Sequence, residues 1–190
     1  MSAARRIGIL AGGGTLPREI ADSIAARGIP LHIVALDGEA DSDFGPHPAT
    51  RVNWGEIGRM VETLKEHECT DLVIIGSVTR SDLATIKPDL GFFKALGTVA
   101  GLVLAGGDDG VLRGVIRFFE GHGFRVVGPA EIAPELVIAA GSITHAGAQS
   151  GLDDLEQDAR IGFRIIAALG RFDIGQAAVI CNRRLEALEA

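Results

Sequence analysis

An apolar run of strand length that breaks into three consecutive glycines, then restarts at once as a helix, constrains this chain more than any other stretch. It reads Arg6-Ile7-Gly8-Ile9-Leu10-Ala11-Gly12-Gly13-Gly14-Thr15-Leu16-Pro17. Beyond it Leu16, Ile20 and Ile24 recur every four residues, with Ala21 and Ala25 beside them, the spacing of one helix face. Thr15 is placed to act as N-cap, and Pro17 falls in the first turn, where a missing N–H is no loss. A tight turn from strand into helix presents amide N–H groups and the positive end of the helix dipole, which suits a phosphate. Glycine lets the backbone approach such a group with no Cβ in the way. Gly12, Gly13, Gly14 and Thr15 are therefore candidate phosphate-binding residues. The motif departs from two known glycine loops. Gly12 and Gly14 fit the dinucleotide pattern G-x-G-x-x-G, but Pro17 stands at its third glycine, and the Lys and Ser/Thr of a P-loop are missing. Glycines that merely turn a strand tightly into a helix are a second reading, and both stay open.

The alternation continues down the chain. Gly28 is placed to close the first helix, and residues 30–36 read as a second strand that ends at Asp37-Gly38. Asp37 stands where a dinucleotide-binding domain holds a ribose, and it is equally an ordinary turn residue before glycine. His32, inside an apolar strand, reads as a satisfied core or edge histidine rather than a ligand. Residues 39–53 are polar and carry Pro46 and Pro48, so they read as a loop. A helix is predicted from Trp54-Gly55 to about His67, with Ile57, Val61 and Leu64 on one face. Residues 71–76 are continuously apolar after Asp71, as buried parallel strands are. Ligands bind beyond the C-terminal ends of such strands, so Ser77 and Arg80 join the candidates. The Arg80 guanidinium can clamp a phosphate with two bonds, or serve as a plain surface arginine.

Residues 89–104 read as a helix that turns Phe92, Phe93, Leu96 and Val99 inward. A glycine turn then leads to a second amphipathic helix carrying Val111, Leu112, Val115, Ile116 and Phe119. Asp108 and Asp109 at its start suit capping and the dipole, or alternatively a Mg²⁺ ion or a polar substrate group. Residues 124–127 complete four predicted strands. The order predicts a Rossmann-like, mostly parallel α/β sheet with helices on both faces over residues 1–133. Residues 134–151 are small and poor in core side chains and read as a linker, in which His145 is solvated. Residues 152–190 read as helix, strand, turn and strand, with Asp153, Asp154 and Glu156 at the start of the helix. One helix and two strands do not close a core, so they are expected to open a second α/β domain that is incomplete here.

Composition narrows the class. In 190 residues no run approaches the roughly 18 consecutive apolar residues of a membrane span. Residues 1–6 lead into the glycine turn rather than a signal-peptide core. Cys69 and Cys181 form no C-x-x-C pair, so reduced thiols and the cytoplasm are expected. A formal charge of −7 sets nucleic acid aside as a partner.

Five stretches, in order, resemble the LpxI-type UDP-2,3-diacylglucosamine pyrophosphatases. They are Ala-Gly-Gly-Gly-Thr-Leu-Pro at 11–17, Gly-Ser-Val-Thr-Arg-Ser-Asp-Leu at 76–83, Gly-Asp-Asp-Gly-Val-Leu-Arg-Gly-Val at 107–115, Gly-Phe-Arg-Val-Val-Gly at 123–128 and Asp-Ile-Gly-Gln-Ala-Ala-Val at 173–179. Ser81 departs from the pattern, which usually has Pro after that Arg. The resemblance implies hydrolysis of UDP-2,3-diacylglucosamine to UMP and lipid X, a step of lipid A biosynthesis. It implies a Mg²⁺ cofactor, a lipid-linked sugar nucleotide held between two domains, an inner-membrane surface reached through that lipid, and a homodimer. The aspartate held to be catalytic in such enzymes has no counterpart in this sequence. No catalytic base and no metal ligand are therefore assigned, and the 190 residues alone are expected to be inactive. The residues leave two other readings open: a dinucleotide-binding module resting on Gly12, Gly14 and Asp37, and a non-catalytic lipid- or nucleotide-binding domain.

Overall fold

A computed structural model describes residues 5–40, 43–78, 107–138, 152–172 and 175–189; of residues 107–111, 152, 153 and 171 it describes only the backbone. Two compact units emerge, one from Met1–Gly101 with Arg113–Ile138, the other from Leu102–Leu112 with Ala139–Ala190.

The first unit is built on five parallel strands, β1 (Ile7–Ala11), β2 (Leu31–Leu36), β3 (Ala49–Val52), β4 (Asp71–Ile75) and β5 (Arg125–Val126), in the spatial order β3-β2-β1-β4-β5. Alternate residues of β1 feed opposite faces, as the pleat requires. Ile7, Ile9 and Ala11 pack with Ile33, Ala35 and Val73 beneath Ile20, Ala21 and Ile24 of α1 (Leu16–Ala26). Leu10, Val34, Leu36 and Leu72 face the other way, toward Met60, Val61 and Leu64 of α2 (Ile57–Glu66) and Phe119 of α3 (Gly107–Gly121). The short helix α4 (Pro129–Ile132) adds Ile132 to the first face. Helices thus cover both faces of an α/β sheet. At Gly8 the fit leaves no room for a side chain: a Cβ there would stand 2.4 Å from Leu64 Cδ2.

One segment corrects the sequence reading. Residues 39–53 are not all loop, because Ala49–Val52 form the edge strand β3, paired with β2 in register Ile33↔Ala49 to Leu36↔Val52. Four residues after a proline carry too little periodicity to reveal a strand, and pairing with a partner already in place supplies the signal that local pattern lacks. The strand predicted at 124–127 is present in its central pair only, Arg125–Val126. The helix predicted at 89–104 lies outside the described residues.

All three of these longer helices end alike. In α1, the N–H groups of Gly28 and Ile29 donate to the carbonyls of Ala25 and Ile24, with Gly28 left-handed at φ 69°. In α2, Glu68 and Cys69 do the same toward Lys65 and Leu64, and in α3, Gly123 and Phe124 toward Glu120 and Phe119. This six-residue closure satisfies two orphan carbonyls and turns an apolar residue back onto the core. In α2 the left-handed position holds Glu68, φ 52°, where glycine would be unstrained.

At the N-terminal ends of the strands, the Asp71 carboxylate receives Arg5 Nε at 2.6 Å and Arg125 Nη2 at 2.7 Å. The same two arginines reach Glu131 at 2.9 and 2.7 Å, fastening β1, β4, β5 and α4 together at that edge. Burial alone would raise the Asp71 pKa, but the hydrogen bonds and charges of Arg125 and Arg5 outweigh it and hold the carboxyl below its ordinary value.

The second unit holds α5 (Leu152–Leu169) and an antiparallel hairpin of β6 (Ala178–Cys181) and β7 (Arg184–Leu188), a sheet of its own. Asn182 and Arg183 form the turn with φ 50° and 65°, the double left-handed geometry that suits the twist of a two-residue hairpin. The Arg183 N–H donates to Asp158 at 2.6 Å, which ties the turn to α5. Gly162 lets the strand lie close, since a Cβ there would stand 3.2 Å from Ile180 Cγ1.

Candidate functional site

In the order β3-β2-β1-β4-β5, the chain winds outward in one direction from β1 and in the other from β4. The connections leave the sheet on opposite sides between those two strands, opening a crevice beyond their C-terminal ends. The glycine loop stands at the end of β1, and Gly76-Ser77 at the end of β4.

These two loops are bonded to each other. Gly12 N–H donates to the Ile75 carbonyl at 2.9 Å, and Gly13 N–H to the Ser77 carbonyl at 2.8 Å, while Ser77 N–H returns to the Gly13 carbonyl at 3.0 Å. The pair Gly13↔Ser77 is an antiparallel bridge appended to a parallel sheet. A Cβ on Gly12 would lie 2.3 Å from the Ser77 carbonyl oxygen, and one on Gly76 would lie 2.7 Å from the Gly12 carbonyl carbon. A Cβ on Gly13 would lie 2.8 Å from both the Glu39 carbonyl oxygen and Ser77 Oγ. Gly14 differs: its φ is 90° and nothing lies within 4 Å of where its Cβ would point.

Two amides of the phosphate nest expected from the three glycines, those of Gly12 and Gly13, are thus bonded inside the protein. Their lack of a side chain serves the approach of one loop to the other. Thr15 stands at the N-cap position, but its hydroxyl makes no cap; it donates to the Glu19 carboxylate at 2.8 Å instead. Of the amides in this turn, those of Thr15 and Leu16 donate to no other described residue.

Gly12, Gly13, Gly14, Thr15 and Ser77 thus stand together at one edge. Arg80 lies outside the described residues. Asp108 and Asp109 fall in the first turn of α3, where only the backbone is described. Asp37 is exposed at the end of β2, with its N–H on the Val52 carbonyl at 2.9 Å. Glu39 was given no role by sequence reasoning, yet it is buried beside Gly13 and its carbonyl limits what Gly13 can carry. A lone glutamate directly after the Asp37-Gly38 pair has nothing local to distinguish it.

The remaining titratable candidates lie elsewhere. His32 is buried on β2, accepting or donating one bond through Nε2 to Thr50 Oγ1 at 2.9 Å, while Nδ1 has no partner among the described residues. It is therefore only half satisfied. Its ring stacks on His67 at 3.5 Å, and burial, then the neighbouring imidazole, push its pKa down to about 4. Cys69 is buried, and burial pushes its thiol up to about 11, far from nucleophilic use. Among the described residues, no three His, Cys, Asp or Glu side chains gather where they could hold a metal ion, and no helix is long and apolar enough to cross a membrane.

Comparison with known proteins adds what the geometry leaves open. The model of the LpxI N-terminal domain matches residues 6–136, and that of the LpxI C-terminal domain matches residues 140–190. UDP-2,3-diacylglucosamine pyrophosphatase LpxI of Caulobacter vibrioides is 32% identical over 188 residues, which is 98% of this chain and 65% of that protein. The chain therefore spans somewhat less than two thirds of the length of this relative. A solved N5-carboxyaminoimidazole synthase from Aspergillus clavatus is 17% identical, covering 63% of this chain and 30% of its own; at a TM-score of 0.28 that likeness carries no argument. With both domain models matched in order along one polypeptide, the chain belongs to the LpxI family.

Proposed function

We propose that this protein acts in hydrolysis of the pyrophosphate of UDP-2,3-diacylglucosamine, yielding UMP and lipid X, in the cytoplasm or at the inner-membrane surface that supplies the lipid. The observation that carries the reading is 32% identity to the Caulobacter pyrophosphatase along nearly the whole chain. The crevice between β1 and β4 supports it, because parallel sheets of this order bind nucleotides at that place. In this reading Gly14, Thr15 and Ser77 border the nucleotide phosphates, with Arg80 as a clamp and Asp108 and Asp109 near the polar end of the substrate. The glycine loop sets the wall against which the pyrophosphate is oriented, and the Thr15 and Leu16 amides at the start of α1 favour its negative charge.

Mg²⁺ is proposed as the cofactor on the family resemblance. A bound Mg²⁺ would neutralise charge on the phosphate oxygens. The described side chains offer no cluster to hold it, so it is assigned to no residue and no step is drawn through it. A homodimer belongs to the same reading.

The test measures UMP release from UDP-2,3-diacylglucosamine with and without Mg²⁺. The 190-residue chain should bind nucleotide weakly and turn over essentially no substrate, because groups acting on water must come from a second wall of the cleft. Extension by the part of the Caulobacter relative that this chain does not match should give Mg²⁺-dependent release. In the active protein Arg80→Ala should raise KM, lower kcat, or both, by roughly tenfold or more. No activity in the extended protein would overturn the reading. An NAD-dependent rise in melting temperature would favour the dinucleotide alternative, which the exposed Asp37 at the end of β2 keeps specific.

A further inference from the structure

We infer that Gly12, Gly13 and Gly76 are positioning residues, whose work is to hold the Ser77 hydroxyl at the crevice as a hydrogen-bond donor to a phosphate oxygen of the nucleotide. The inference rests on the proposed nucleotide reading and assigns the glycines a different job within it.

Three observations converge. Both amides that a phosphate nest would need at Gly12 and Gly13 already donate to Ile75 and Ser77 carbonyls. At each of the three glycines a Cβ would come within 2.8 Å of an atom in the facing loop or of Ser77 itself. Flexibility or ligand approach would not demand such contacts; close seating of the Gly76-Ser77 turn does. Third, the seated Ser77 is exposed, and its hydroxyl bonds to no described residue, although its main chain is held through both N–H and C=O. A fixed backbone carrying a hydroxyl with no partner among the described residues, at the C-terminal edge of β4, is a pre-oriented donor, with the entropy of placing it already lost on folding.

The seat is also selective about what can replace its parts. Gly76 sits at φ 104°, so any side chain there is strained before it clashes. Gly13 sits at an ordinary φ, so Gly13→Ala acts through crowding of Ser77 Oγ and the Glu39 carbonyl alone. That makes Gly13 the position at which seating can be disturbed with least damage elsewhere.

The experiment is a double-mutant cycle read by titration calorimetry with UDP and, as a control lacking phosphate, uridine. Ser77→Ala should weaken UDP binding by about tenfold or more, leave uridine binding unchanged and leave the melting temperature within a degree or so, as loss of one charge-assisted bond predicts. Ser77→Thr, which keeps the hydroxyl, should stay within about threefold of the parent. Gly13→Ala should lose a similar factor. Gly13→Ala with Ser77→Ala should lose no more than either alone, because both remove one contact. Amide exchange supplies a readout that needs no ligand: Gly13→Ala should expose the Ser77 N–H by at least about tenfold while Ile9 and Val73 stay protected. Multiplying losses in the double variant, equal losses for uridine, or unchanged Ser77 protection in Gly13→Ala would each overturn the inference. If the parent binds no UDP while Ser77 stays protected, the nucleotide reading itself fails and takes the ligand contact with it.

Discussion

The two units solve the same problem, covering an apolar sheet face, with different completeness. In the first, both faces of a five-stranded sheet are sealed, and Ile7, Ile9, Ile33, Leu64, Leu72 and Val73 have no exposed surface. In the second, one helix lies on a two-stranded hairpin, and Phe163 and Leu155 remain 75% and 62% exposed. The helix itself shows the difference. Both helices are amphipathic, but the sheet buries Ile20, Ala21 and Ile24 of α1, whereas the apolar side of α5 keeps Leu155 and Phe163 outside the cover of the hairpin. A hairpin can cover only one side of such a helix. Sealed cores derive stability from packing within the described residues, and the helix–hairpin unit derives less.

Packing provides the largest expected contrast. Leu64→Ala in α2 should cost about 2–5 kcal/mol, measured by urea unfolding, because Leu64 is fully buried against Gly8 and Leu72 and the site has little freedom to collapse. Phe163→Ser in α5 should cost less than about 0.5 kcal/mol in the same measurement, as an exposed position does. A loss at Phe163 comparable with that at Leu64 would mean that this face is covered in solution, and the comparison would break.

Acid should act on the first unit through two named groups. Asp71 has a folded pKa below its unfolded one, so its contribution is complete above the unfolded value and disappears as pH falls through the folded one. His32 is also depressed, from 6.5 to about 4, so the unfolded chain binds the proton first and stability falls as pH drops between those values. The melting temperature should therefore decline from pH 7 toward pH 4, with the protection factors of the β1 and β4 amides, corrected for the intrinsic exchange rate at each pH, falling. Asp71→Asn should start lower and decline less steeply in the carboxylate range. A carbon-bound proton of the His32 ring should show no titration above about pH 5 by NMR. A midpoint near 6.5 would contradict the buried, half-satisfied ring.

The smallest effects belong to the turns. Glu68→Gly relieves a left-handed backbone at the end of α2 and should stabilise by roughly 1 kcal/mol, since its exposed ion pair with Arg6 at 3.5 Å contributes little. Arg183→Gly turns the hairpin into the Asn-Gly pair that its geometry prefers and should slow exchange of the β6 and β7 amides a few-fold. Gains confined to each mutated unit would sharpen the comparison. A gain shared by both would show that they unfold together.

Much of this molecule was legible in its sequence because the signals are local. Three glycines after an apolar run, helical spacing through Leu16, Ile20 and Ile24, and Gly28 and Gly123 beyond their helices specify turns and faces within a few residues. The family motifs are of the same kind, short strings whose order alone identifies them. Tertiary structure decided what depends on a partner distant in sequence. Strand β3 exists because β2 offers a free edge, and Asp71 is buried because Arg5 and Arg125 arrive from either side of it. The glycine loop is the clearest case: its residues were readable as a site, but only the approach of Ile75 and Ser77, more than sixty positions away, determines that the Gly12 and Gly13 amides are occupied. A hydrogen bond is a property of two groups, and a sequence shows only one of them at a time.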